Sequence, residues 1–152
     1  FKGTVNEEAV ELKNATYPDN DNNPIYSRRE GIFFKDHEGL DSINVMNTFI
    51  RINDNSVLSV RIYKLNCSIR YIMPYDYDKW YDSRMSLAKR ENKHGGPSYY
   101  TPGEHNPFRI EITDVIWLSY DKPIIEVKLN GALYKKDNLQ DSIIINAVYG
   151  TR

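Results

Sequence analysis

Only one cysteine, Cys67, occurs in the 152 residues, so an internal disulfide is excluded. No apolar run approaches the roughly 18 to 20 residues that a membrane-spanning helix needs. Neither sign of charge dominates: twenty basic and twenty-one acidic residues leave a formal net charge of −1. No overall field therefore draws in nucleic acid, and nucleic acid is not an expected partner. Histidine is scarce as well. His37, His94 and His105 all lie in polar, turn-like sequence, and none sits at the spacing of a HExxH helix. There is no Gly-x-Ser-x-Gly elbow, and Gly95-Gly96-Pro97 lacks the lysine and following helix of a phosphate loop. Cys67, flanked at alternate positions by apolar residues, reads as a buried, inert thiol. The expectation is a protein that is not an enzyme, with no catalytic residue, no metal and no cofactor.

What is present is alternation with a period of two, the pattern of half-buried strands. Phe108, Ile110 and Ile112 alternate with Arg109, Glu111 and Thr113, and Ile125, Val127 and Leu129 with Glu126 and Lys128. Leu58, Val60 and Ile62 alternate with Ser59 and Arg61, while Cys67, Ile69, Tyr71 and Met73 form one face against Ser68, Arg70 and Ile72. Turn chemistry separates such runs at Asn53-Asp54-Asn55 and Asp121-Lys122-Pro123, and Asn130-Gly131 predicts a two-residue hairpin. PDNDNNP, Pro18 to Pro24, reads as a loop. Helical patterns are limited to residues 4–14, where Thr4-x-x-Glu7 forms a capping box, and to Asp78 to Asn92, where Tyr81, Met85 and Ala88 share a face. A strand serves residues 10–14 equally well. The expected architecture is a single domain over residues 1–152, an all-β antiparallel sandwich with one or two short helices.

Aromatic residues are concentrated rather than spread. Six of the twelve tyrosines, Tyr71, Tyr75, Tyr77, Tyr81, Tyr99 and Tyr100, fall in one short window with Trp80. Such rings combine an apolar body with a polar tip and suit core packing, protein interfaces, sugar stacking or the headgroup layer of a membrane. Their π faces also attract quaternary ammonium groups. In a strand, one member of each adjacent pair, Trp80-Tyr81 and Tyr99-Tyr100, is directed away from the core.

The run Met73-Pro74-Tyr75-Asp76-Tyr77-Asp78-Lys79-Trp80-Tyr81 resembles the Pro-aromatic-Asp-Tyr and Trp-Tyr motif of the actinoporins, the pore-forming cytolysins of sea anemones. Pro97-Ser98-Tyr99-Tyr100-Thr101 is similar to that family's tyrosine pair, and Ile25-Tyr26-Ser27-Arg28-Arg29 to its Leu-Tyr-Ser-Gly-Arg segment. The resemblance implies a β-sandwich toxin that binds choline-lipid membranes, either a cytolysin or a relative without the full inserting helix. Pro74, Tyr81, Tyr99 and Tyr100 would line the headgroup pocket, with Tyr75 and Trp80 on the membrane-facing rim. Related fruit-body lectins of fungi share that fold and bind sugars, so a glycan is the alternative ligand on the same six residues. A third reading is an assembly protein whose tyrosines form an interface, with a homo-oligomer among its forms. The start at Phe1, without Met or leader, suggests a trimmed or a processed secreted chain, and the sequons at Asn14-Ala15-Thr16 and Asn66-Cys67-Ser68 permit glycosylation; secretion is the expectation.

Overall fold

The structure is a computed structural model that describes residues 1–12, 27–34, 43–75, 83–117 and 123–150. Its elements in chain order are β1 (Lys2–Val5), β2 (Glu8–Glu11), β3 (Ser27–Phe34), β4 (Ile43–Asn53), β5 (Ser56–Tyr63), β6 (Ser68–Ile72), β7 (Arg84–Lys89), β8 (Ser98–Thr101), β9 (Phe108–Trp117), β10 (Pro123–Lys135) and β11 (Asn138–Gly150). The expected all-β class is what is observed, and every pairing is antiparallel.

The strands belong to one branched sheet rather than two separate ones. Along its main path the order is β2-β1-β11-β10-β8-β7-β5-β4-β3, and a side branch runs from β10 through β9 to β6. The branch arises because β10 is long enough to take two neighbours on one edge. Its first part pairs with β9 from Pro123 to Asn130, and its last residues, Tyr134 and Lys135, pair with β8. Two arms therefore spring from the β10–β11 hairpin, one ending at β6 and the other at β3.

Both arms turn their apolar faces into one core. Leu58, Val60 and Ile62 of β5, Met85 and Leu87 of β7, Phe108, Ile110 and Ile112 of β9, and Ile143, Ile145 and Tyr149 of β11 belong to the same buried cluster. This is the burial that alternation predicts, and it provides the main drive for folding. Bonds across the core tie the arms: Thr48 Oγ1 of β4 lies 3.1 Å from the buried Tyr149 hydroxyl of β11.

Several expectations are corrected. No helix occurs among the described residues. Residues 2–11 form the β1–β2 hairpin, turned at Asn6 and Glu7, and the part of Asp78 to Asn92 that is described contains β7. Met85 and Leu87 are buried at strand spacing, whereas the helical spacing of Tyr81, Met85 and Ala88 is incidental. Asn130-Gly131 makes no turn; it lies within β10, where a Cβ on Gly131 would stand 2.8 Å from Cδ2 of Phe108. Glycine is there for the close approach of that ring, and the hairpin turns at Lys136 and Asp137 instead. Strand β6 is inverted relative to its expected facing, with Ile72 buried, Ile69 and Tyr71 exposed, and Cys67, just before it, also exposed.

Candidate functional site

Of the six residues expected to bind a ligand, Pro74, Tyr75, Tyr99 and Tyr100 lie among the described residues. Trp80 and Tyr81 lie outside the described residues. Pro74 and Tyr75 follow directly on β6 and are partly buried. Tyr99 is 54% exposed, whereas its neighbour Tyr100 is 0% exposed. The reason is register: Tyr100 pairs with Leu87 on the inner face of β7, so Tyr99, beside Ala88, must face outward.

The buried phenol is already engaged. Tyr100 Oη donates to Asp141 Oδ2 at 3.0 Å, and Lys135 Nζ stands 3.8 Å from the same carboxylate and 3.3 Å from Glu91. Burial first, then the hydrogen bond and charge of Asp141, push the Tyr100 pKa up to about 12. Tyr75 likewise has an occupant for its ring, the Arg84 guanidinium, with Cζ 4.7 Å from the ring centroid. The Tyr100 hydroxyl, assigned to the headgroup pocket, and the Tyr75 ring, assigned to the membrane-facing rim, are thus both engaged by the protein's own groups.

What the structure does expose is a row on β6 and the residue just after it. Ile69 is 52%, Tyr71 63% and Met73 47% exposed, spaced by two and therefore aligned on one face. Among the described residues β6 pairs only with β9, which leaves its other edge unpaired. Behind the row, Arg109 of β9 stands opposite Tyr71 and Glu111 opposite Ile69. Arg109 Nη2 donates to Glu111 Oε2 at 2.8 Å, and Lys128 adds a contact at 3.5 Å. The hydrogen bond to Glu111 raises the pKa of Arg109, and the same bond lowers that of Glu111.

Arg70 fixes the strand's backbone. Its side chain lies on the side opposite the row, where its guanidinium donates to the carbonyls of Tyr63 and Lys64, to Asn66 Oδ1 and to Ser83 Oγ. Burial pulls its pKa below the ordinary arginine value. One arginine therefore joins β6 to the loop after β5 and to the residue before β7. It explains the inverted facing, because those acceptors satisfy a guanidinium turned toward the protein and leave Ile69 and Tyr71 to point outward. Sequence reasoning missed this, although an arginine between two apolar residues was the available signal.

Elsewhere, a shallow open groove is lined by Asn53, Asp54, Asn55, Ser56, Lys89, Arg90 and Glu91, without an aromatic ring to stack a sugar. Among the described residues no group of three or more His, Cys, Asp or Glu is placed to hold a metal ion.

The fold and the exposed row define an all-β domain in which, among the described residues, β6 pairs along one edge only. Residues 1–152 match the family described as Domain of unknown function (DUF5025), and the chain belongs to that family. No curated protein and no solved structure matches it.

Proposed function

We propose that this domain is a binding module that takes up an extended segment of a partner protein as an added strand on the β6 edge. The observation that carries the proposal is the row Ile69, Tyr71 and Met73, exposed on and just after a strand that, among the described residues, pairs on one side only. A free edge offers main-chain donors and acceptors for affinity, and alternating apolar side chains beside it offer selectivity. Ser68–Ile72 has neither proline nor lysine, and its one charged residue, Arg70, is engaged by the protein's own carbonyls and side chains, so the row itself presents no charge to a partner. The fitting segment carries apolar residues at every second position, on the side that continues the row.

A second copy fits less well. The two-fold antiparallel register that sets Ile69 against Tyr71 also sets Arg70 opposite Arg70 of the other copy, and directly opposed like charges are unfavourable. A lipid or sugar surface would engage the side chains of the row but leave the backbone edge unused.

The test is selection of displayed heptapeptides on the wild-type domain, with binding measured again on an Ile69→Lys, Tyr71→Lys variant and on Ile144→Lys as a surface control. Expected are sequences with apolar residues at alternate positions, slowed amide exchange in Ser68–Ile72 on binding, and at least about a tenfold loss in the double variant, the scale of one interface anchor. Peptides that bind both variants equally would overturn the proposal. So would wild-type binding to phosphatidylcholine vesicles or to a glycan array that disappears in the double variant without any selected peptide, because the row would then serve a headgroup or a sugar.

A further inference from the structure

On the outer face of the other arm, the β5–β7 register sets Arg61 directly opposite Arg84 and Ser59 directly opposite Ser86. These positions alternate with the buried Val60 and Met85, so all four side chains emerge on the same side of the sheet, and all four are partly buried. Two like charges paired across strands are unfavourable unless something of opposite sign is shared between them. Nothing described supplies it. Neither arginine has an ion pair among the described residues, in contrast to Arg109, which has Glu111. By register, the nearest acid in that row is Glu30 of β3, beyond Asn47 of β4, which places it two strands or about 10 Å from Arg61.

Aromatic rings take the place of acids. The Arg61 Cζ lies over the Tyr63 ring at 5.1 Å and the Arg84 Cζ over the Tyr75 ring at 4.7 Å. A guanidinium held by its face keeps the N–H groups in its plane for an acceptor, and the ring restricts its motion without neutralising its charge. A further sign of an absent acceptor is that Nε of Arg61 is buried and has no hydrogen-bond partner. Buried donors are nearly always satisfied, and an exception calls for a ligand or water.

We infer that the Arg61–Arg84 pair, with Ser59 and Ser86 beside it, is a binding site for a tetrahedral oxyanion such as a phosphate group. A guanidinium fork offers a pair of parallel N–H groups that matches the oxygens of such a group, and Ser59 and Ser86 stand at the next cross-strand position with hydroxyls that can donate as well. An anion there turns the repulsion of the pair into a shared attraction. The site uses different residues from the β6 row, so each stands or falls on its own test.

The experiment is an NMR titration of the wild-type domain with inorganic phosphate, using sodium chloride at matched ionic strength as the reference and phosphatidylcholine vesicles as a separate arm. Expected are saturable shifts of the Arg61 and Arg84 side-chain Nε–H signals and of the Ser59 and Ser86 amides that chloride does not produce. Arg84→Gln is expected to weaken phosphate binding by at least about tenfold, and Arg84→Lys, which keeps the charge and loses the fork, by a smaller factor. The lysine variant also provides the comparison if the glutamine variant misfolds. Shifts with vesicles but not with free phosphate would assign a lipid-borne phosphate to the same site. Linear, unsaturable shifts, or shifts confined to Lys89, Arg90 and Lys93, would overturn the inference.

Discussion

Glu7 holds φ at 68° beside Asn6 at 49°, the two positive values that close a two-residue hairpin of mirror-image type. Asparagine tolerates that region, whereas a glutamate pays a steric cost for it. Glycine at the position would remove the cost at the expense of a more flexible unfolded chain. Glu7→Gly is therefore expected to stabilise the domain by about 0.5 to 1 kcal/mol, read as a higher urea midpoint at unchanged slope. A lower midpoint would show that the glutamate side chain contributes something the turn geometry does not reveal. This turn was not legible locally. Thr4-x-x-Glu7 satisfies a helical cap as sequence, and what decides for the hairpin is a partner far along the chain. The Asn6 amide donates to the Ile144 carbonyl at 2.8 Å, and Ile144 N donates to Asn6 Oδ1 at 2.8 Å. The exposure of Cys67 was hidden for a similar reason, because it follows from the facing of β6 and not from the cysteine's neighbours in sequence.

Strands with one clean apolar face were legible, and those with mixed faces were not. β5, β9 and the first part of β10 carry alternation strong enough to fix both existence and facing. In β6 apolar residues occupy both faces, since Ile72 stands on one and Ile69 and Tyr71 on the other, so periodicity fixes the strand but not which side is wet. The facing of Ile69, Tyr71 and Met73 depended on that choice, which is why alternation alone did not give it. Gly131 shows the opposite failure, a turn signal whose real cause is packing. A methyl group there would meet Phe108 at Cδ2, Cγ and Cα, at 2.8, 3.1 and 3.2 Å, and the backbone contact cannot swing away. Gly131→Ala is expected to cost about 1 to 3 kcal/mol, the usual range for overpacking a filled core. Thermal or urea unfolding would measure it, and an unchanged midpoint would mean that β10 and β9 can separate at that level without loss.

For the whole molecule, stability depends on seams that no single strand contains. The arms share the β10–β11 hairpin and meet again where Thr48 reaches Tyr149, where Arg70 holds the loop after β5, and where Tyr100 of β8 reaches Asp141 of β11. Joining β10 to both β8 and β9 was invisible in the sequence, because a long strand with two partners on one edge looks like any other long strand. The Tyr100 seam makes a prediction about pH. In the folded protein its hydroxyl keeps the proton up to about 12, while in the unfolded chain it is released near the ordinary value of 10. Between those values the folded state binds more protons than the unfolded one, so raising the pH favours unfolding. The contribution is complete below about pH 10 and is lost as the pH rises toward 12. Tyr100→Phe removes the hydrogen bond and the titration together. It should be about 1 kcal/mol less stable than the wild type at neutral pH, with the gap closing as the solution is made alkaline. Urea midpoints for both proteins at stepped alkaline pH provide the measurement. Parallel curves across the window would mean that the phenol ionises as readily in the folded protein as in the unfolded chain, and that the contact with Asp141 does not hold this end of the core closed.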